Sequence, residues 1–156
     1  MFFYRIKDPA QSFGVHGAST RFSLKNEFDA FIYKYPRLVA LELKSNQGTS
    51  ISFSLEANSG TNIKASQINS LKDCLRYGIK AGLLLNYRKT ETTYWIDIAN
   101  FLTFAENTTK KSINEKDLIE YGATVVPQTL KKVRYKYDLN FLFKNEEGGE
   151  NCNGNV

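Results

Sequence analysis

The period of the hydrophobic pattern changes along the chain, and each change marks an element. Phe28 to Tyr33 and Leu38 to Lys44 are short runs rich in β-branched and aromatic residues. With Tyr35-Pro36 between them, they predict a β-hairpin. Ahead of the hairpin, Met1 to Lys7 predicts a short strand. Asp8 to Ser19, with its glycines and proline, predicts a loop that holds His16 toward solvent. After it, Thr49 to Leu55 alternates polar and apolar as a half-buried strand does, and Glu56 to Asn62 forms a Gly/Ser/Asn loop.

Ile68, Leu71 and Leu75 then recur at helical spacing, with Thr61 or Asn62 placed to cap the helix and Tyr77-Gly78 to end it. The continuous apolar run Ile79 to Tyr87 suits a buried central strand. Arg88 to Thr92 predicts a turn, Thr93 to Ile98 a returning strand, and Ala99 to Ala105 a short helix. Ser112 and Glu115 stand at the S-x-x-E spacing of a capping box, heading a helix that runs to Tyr121-Gly122. Asp138 to Phe143 is apolar enough to dock on the body. The order strand, strand, strand, helix, strand, strand predicts an α/β fold on one central mixed β-sheet flanked by helices. Residues 1–143 read as a single domain, and 144–156, rich in Gly, Asn and Glu, as a disordered tail.

Composition narrows the class. At 156 residues the chain is long enough for a sizeable core, and no apolar run approaches the roughly 20 residues needed to cross a bilayer. The start Met-Phe-Phe-Tyr-Arg lacks the pattern of a signal peptide. Two distant cysteines, Cys74 and Cys152, make no disulfide framework, so a reducing cytoplasm is expected. One histidine and no C-x-x-C argue against a structural zinc site. A net charge of +5 favours an acidic partner, nucleic acid being the commonest. The densest basic stretch, Lys131, Lys132, Arg134 and Lys136, reads either as a solvated face or as a set of phosphate contacts.

The candidate chemistry lies in the hairpin. A four-residue turn over Lys34 to Arg37 sets Tyr33 against Leu38, and the same register sets Asp29 against Glu42. Lys44 projects from the same face as Glu42. Like charges opposed at about 5 Å repel, and a divalent cation held by oxygen ligands turns that repulsion into binding. The pattern D-x12-E-x-K therefore reads either as an edge salt bridge or as a metal-dependent site for phosphodiester hydrolysis. In the second reading Mg²⁺ or Mn²⁺ activates water and stabilises charge on the phosphoryl oxygens. The Leu43 carbonyl is then a further oxygen ligand, and Lys44 orients the water or stabilises the transition state. Gln67, on the buried side of the predicted helix, needs a partner: a core hydrogen bond, or a site toward which its carbonyl turns.

Together these segments resemble the RecU-type Holliday junction resolvases, also labelled penicillin-binding-protein-related factor A, within the PD-(D/E)xK nucleases. The likeness is carried by Asn26 to Asp29, Leu41 to Lys44, Thr49 to Phe53, Asn62-Ile63, Gln67-Ile68, Tyr77 to Ala81, Lys110 to Ile113 and Tyr135 to Leu139. It spans Phe3 to Phe143. The resemblance implies a restriction-endonuclease-like fold and an Mg²⁺-dependent endonuclease of recombination and repair. Asp29, Glu42 and Gln67 would be metal ligands, and Lys44 the catalytic lysine. It also implies a homodimer acting on four-way or branched DNA. Two departures qualify it. Family members usually begin with a further segment whose helix supplies an acidic residue near the site, whereas this chain opens at FFYRIKD. Where relatives can have Thr two residues before the aspartate, this chain has Glu27, with no assigned role. The rivals are a nuclease for another DNA structure and a non-cleaving DNA-binding accessory protein lacking that helix.

Overall fold

The protein is described by a computed structural model over residues 1–6, 26–57 and 60–144. The expected loop around His16, Cys152 and all of the expected tail beyond Lys144 lie outside the described residues. The chain runs β1 (Phe2–Arg5), β2 (Ala30–Lys34), β3 (Arg37–Asn46), β4 (Ser50–Ser52), α1 (Ala65–Arg76), β5 (Lys80–Tyr87) and β6 (Thr92–Asp97). Then follow α2 (Ile98–Asn107), β7 (Ser112–Asn114), α3 (Glu115–Glu120), β8 (Thr124–Val125), β9 (Gln128–Lys131) and β10 (Arg134–Tyr137), and last a 3-10 turn (Asn140–Phe143).

Six strands form one mixed sheet in the order β1-β2-β3-β5-β6-β8, with helices flanking it, consistent with a restriction-endonuclease-like fold. The pair β3–β5 is parallel and the others are antiparallel. The hairpin forms as its sequence predicts: Tyr33 faces Leu38 and Lys34 faces Arg37 across the Tyr35-Pro36 turn, whose peptide is cis.

Alternation along β3 divides the core between the two faces of the sheet. On one face, Ala40 joins Leu83, Leu85 and Tyr87 of β5 beneath Ile68, Leu71 and Cys74 of α1 and Phe101 and Phe104 of α2. On the other, Val39 and Leu41 pack with Leu84, Trp95, Leu139 and Leu142, so the docking segment expected at Asp138 to Phe143 does dock. Gly82 in β5 has a packing reason: a Cβ there would lie 2.6 Å from the Trp95 ring and run into the Ile96 carbonyl.

Four expectations are corrected. The strand read over Thr49 to Leu55 shrinks to three residues, which pair with β7 in a separate two-stranded sheet, because Ser50 to Ser52 finds its partners in Ser112 to Asn114. The N-cap of α1 is Lys64 rather than Thr61 or Asn62. Leu75 is 39% exposed, and Cys74, three residues beyond Leu71, takes the core position instead. The capping box before α3 sits two residues later than its sequence suggests: Asn114 accepts from the Asp117 N–H at 2.9 Å and Asp117 accepts from the Asn114 N–H at 3.2 Å. Ser112 is held in β7 and so cannot cap. The breaks after α1 and α3 fall at Gly78 and Gly122, both with positive φ.

Candidate active site

Glu42 sits in the middle of β3, an interior strand with β2 on one side and β5 on the other, and is fully buried. Its parity follows Ala40, so it lies under α1, where the surrounding side chains are apolar. The β2–β3 ladder ends at Ala30 opposite Leu41, which makes Asp29 and Glu42 the next positions on the two strands. Asp29 continues the sheet in an altered way. Its N–H donates to the Leu41 carbonyl, its carbonyl accepts from Ile6 N–H, and its Oδ2 accepts the Leu43 N–H at 2.8 Å. A side chain thus takes the ladder bond that a backbone carbonyl would have made, and this fixes the carboxylate beside Glu42.

Lys44 follows two residues along, on the same face, with Nζ 2.8 Å from Glu42 Oε1. Its side chain stays 21% exposed while that of Glu42 is 1% exposed, so the lysine joins a buried acid to solvent. The same Oε1 also accepts a short hydrogen bond from the Gln67 amide. The other oxygen, Oε2, is buried and has no hydrogen-bond partner among the described residues. Burial pushes the Glu42 carboxyl up from its ordinary value to about 7. Lys44 pulls it back by hydrogen bond and charge, and Asp29 raises it further.

Gln67 stands one turn into α1, half-buried, and its two ends face different ways. Its carbonyl accepts the Lys64 N–H at 3.1 Å, satisfying one of the free donors at the helix start, and its NH₂ reaches Glu42. Of the two partners the sequence left open, the amide finds the core hydrogen bond, and that bond is to the site. The structure thus brings together Asp29, Glu42, Lys44 and Gln67, residues 38 positions apart at the extremes. Glu27 is exposed. The cleft lined by Pro36, Tyr77, Gly78 and Lys80 lies at the opposite end of β3 and contains no carboxylate.

The donor set suits a hard divalent cation: a buried carboxylate oxygen without a hydrogen-bond partner among the described residues, and a second carboxylate beside it. No group of three or more His, Cys, Asp or Glu side chains that could hold a metal occurs among the described residues, so the neutral oxygens of Gln67 and Leu43 would have to complete the shell.

Sequence reasoning missed a polar chain on the other face at the same end of the sheet. Arg88 Nε donates to Ser45 Oγ at 2.8 Å, Ser45 Oγ to Asn86 Oδ1 at 3.0 Å, Asn86 Nδ2 to Thr93 Oγ1 at 2.9 Å, and Thr93 Oγ1 to Gln128 Oε1 at 3.1 Å. The one visible signal is Asn86, a polar residue inside the apolar run of β5.

A mixed sheet in this order, with an acid-x-lysine on an interior strand and an aspartate beside it, defines the restriction-endonuclease-like class. Within that class the chain belongs to the RecU family, described as Recombination protein U, whose model matches residues 32–141. The match takes in Glu42, Lys44 and Gln67 and begins after Asp29. The chain is also similar to the SPbeta prophage-derived uncharacterized protein YotM of Bacillus subtilis (strain 168). The two are 35% identical over 155 residues, covering 91% of this chain and 75% of that protein. Membership gives the protein a role in DNA recombination and a place in a nuclease family that acts on branched DNA. No helix among the described residues is long and apolar enough to cross a membrane.

Proposed function

We propose that the protein is a Mg²⁺- or Mn²⁺-dependent endonuclease that resolves Holliday junctions, with Asp29, Glu42 and Gln67 as metal ligands and Lys44 as the catalytic lysine. The observation that carries this reading is the unpartnered, buried Oε2 of Glu42 beside a second carboxylate. A lone buried acceptor of this kind costs about 1–3 kcal/mol unless something binds it. The cation would supply an acidified water and a stabiliser for charge on the phosphoryl oxygens.

The chain's own residues do the rest. Asp29 is held in place by the Leu43 N–H, and Gln67 holds Glu42 by its amide. Gln67 can offer its carbonyl to a cation only by rotating its amide and giving up the Lys64 N–H. Lys44, partly exposed and already paired with Glu42, is placed to orient the attacking water or to neutralise phosphoryl charge. A homodimer suits a junction, since a two-fold axis presents two sites to two strands of like polarity. Support comes from edge strand β1, where Phe2, Phe3 and Tyr4 are 61%, 48% and 50% exposed and available to a second copy among the described residues.

One observation favours a second reading. With two carboxylates in the site among the described residues, a non-cleaving DNA-binding accessory protein is the rival. Incubation with Mg²⁺ and either a synthetic four-way junction or a matched linear duplex separates the readings. Symmetric nicks at the crossover are expected, reduced ~10²–10³-fold by Lys44→Ala and abolished by Glu42→Ala. Equal cutting of both DNAs would point to a different DNA substrate, and binding without cutting to the accessory protein. Sedimentation analysis should find a dimer, weakened by Phe3→Lys.

A further inference from the structure

The ribbon β9–β10 carries charge that the fold does not explain. Its register pairs Lys131 with Arg134, Leu130 with Tyr135, Thr129 with Lys136 and Gln128 with Tyr137. Cross-strand partners share a face, and successive residues alternate. One face is therefore Thr129, Lys131, Arg134 and Lys136, and the other Gln128, Leu130, Tyr135 and Tyr137. The second face is the one tied to the body. Gln128 and Tyr135 are the half-buried residues of the ribbon, and the Gln128 amide donates to the Glu91 carbonyl in the β5–β6 turn. The basic face is exposed throughout.

Two features of that face run against stability. Lys131 and Arg134 are directly opposed, a like-charge arrangement that destabilises a ribbon. Lys132 occupies the turn with φ of 48°, a left-handed position that glycine or asparagine fills more easily. No carboxylate among the described residues forms an ion pair with Lys131, Lys132, Arg134 or Lys136. The Asp138 carboxylate, close enough to feel the Lys136 charge, is engaged by the Asn140 N–H and side-chain amide. A polyanion along the exposed face relieves the first of these, the like-charge opposition.

Position adds to charge. The ribbon is joined to the Thr93–Asn86–Ser45–Arg88 chain through Gln128, at the end of the sheet where β3 and β5 finish. Lys44 is at that same end, on the other face. Arg88 and Lys89 are both exposed in the β5–β6 turn at this end.

We propose that the Lys131–Arg134–Lys136 face of this ribbon, with Lys132 at its tip, is a backbone-contacting arm that grips phosphates of a DNA duplex and sets its position at the end of the sheet bearing Lys44. The inference rests on the DNA-processing reading above. It assigns the arm phosphate contacts, which position a duplex without reading its sequence.

The test is equilibrium binding of a fluorescent four-way junction to the full chain in EDTA, followed by anisotropy between 50 and 200 mM salt. The arm variant is Lys131→Ser/Arg134→Ser, which leaves Gln128 and Tyr135 in place. Lys132→Gly is a second variant that removes a charge while suiting the turn. Lys72→Ser/Lys116→Ser, on α1 and α3, matches the first in net charge. The arm variant should flatten the slope of log K against log salt by about two, roughly one per cation lost, and Lys132→Gly by about one. Circular dichroism and melting temperature should hold, since a repulsive pair has been removed. Binding by the wild type that both arm variants match, or an equal loss in the charge-matched control, overturns the proposal. Absence of DNA binding by the wild type would instead overturn the reading beneath it.

Discussion

Lys44 Nζ lies 2.8 Å from one oxygen of Glu42, and the other oxygen of the same buried carboxylate has no hydrogen-bond partner among the described residues. The lysine therefore half-neutralises the acid and leaves it short of full satisfaction, which is why burial still outweighs Lys44 and the carboxyl is pushed up to about 7.

A pH dependence follows. A carboxyl whose folded value is raised contributes stability that is full below its ordinary value and is lost as pH rises through the folded value. In EDTA the protein should lose about 3 kcal/mol of unfolding free energy between pH 4.5 and pH 8 through this group, taking a shift from 4.5 to about 7 at 1.36 kcal/mol per unit. Urea denaturation of Glu42→Gln should lack that component, and the variant should be the more stable protein at pH 8. Mn²⁺ should restore stability to the wild type at pH 8, by mass action on the folded state, and leave Glu42→Gln unmoved. A wild-type curve parallel to that of Glu42→Gln across this range would show that Glu42 stays ionised throughout.

Gln67 links the helix start to the site, and its two bonds can be separated by pH. Gln67→Met keeps the volume and loses both the Glu42 donor and the Lys64 acceptor. At pH 8, with Glu42 ionised, the cost should be about 3 kcal/mol, about 2 of it from the hydrogen bond to a charged group, which is among the stronger kinds. At pH 5, with Glu42 neutral, about 1 kcal/mol should remain, the worth of the helix-cap bond alone. Denaturant melts at the two pH values decide it; a cost independent of pH would mean that Gln67 acts on the helix and not on Glu42.

How much of this was legible in the chain differs from residue to residue. The opposition of Asp29 and Glu42 could be read because a short turn fixes the register of a hairpin, and Lys34 to Arg37 left little choice. The ordered motifs pointed to the RecU family, and the family model now matches over 32–141. The orientation of Gln67 was out of reach, since it depends on which backbone N–H lies free at a helix start whose cap was misplaced by two or three residues. In sequence the ribbon reads as charge and not as a hairpin because its turn, Lys132-Val133, lacks the Asn-Gly signal that identifies such turns. Strand β4 was overextended because alternation persists in sequence beyond the three residues that find partners.

Gly82 tests the packing of the central strands independently of the site. Gly82→Ala places a methyl 2.6 Å from the Trp95 ring, and the Ile96 carbonyl behind it is backbone that cannot swing away. β5 and β6 would have to separate locally in the interior of the sheet. The variant should lose about 3 kcal/mol or more, at the upper end of overpacking costs, with Trp95 fluorescence shifted toward that of an exposed indole. A melting temperature within a degree of wild type would show that Trp95 can repack.

The two capping assignments before α3 make opposite predictions for a pair of conservative changes. If the sequence spacing governed, Ser112→Ala would remove the cap. In the structure Ser112 is a strand residue, and Asn114 and Asp117 exchange side-chain and backbone hydrogen bonds at 2.9 and 3.2 Å. Asp117 is buried and also binds Lys110 at 2.6 Å, so its place is fixed from two sides. Asn114→Ala should therefore cost about 1–2 kcal/mol, and Ser112→Ala only a few tenths, as is usual for substitutions away from such features. Thermal unfolding of the two variants measures the difference directly. The reverse order would return the cap to Ser112 and detach β7 from its pairing with β4.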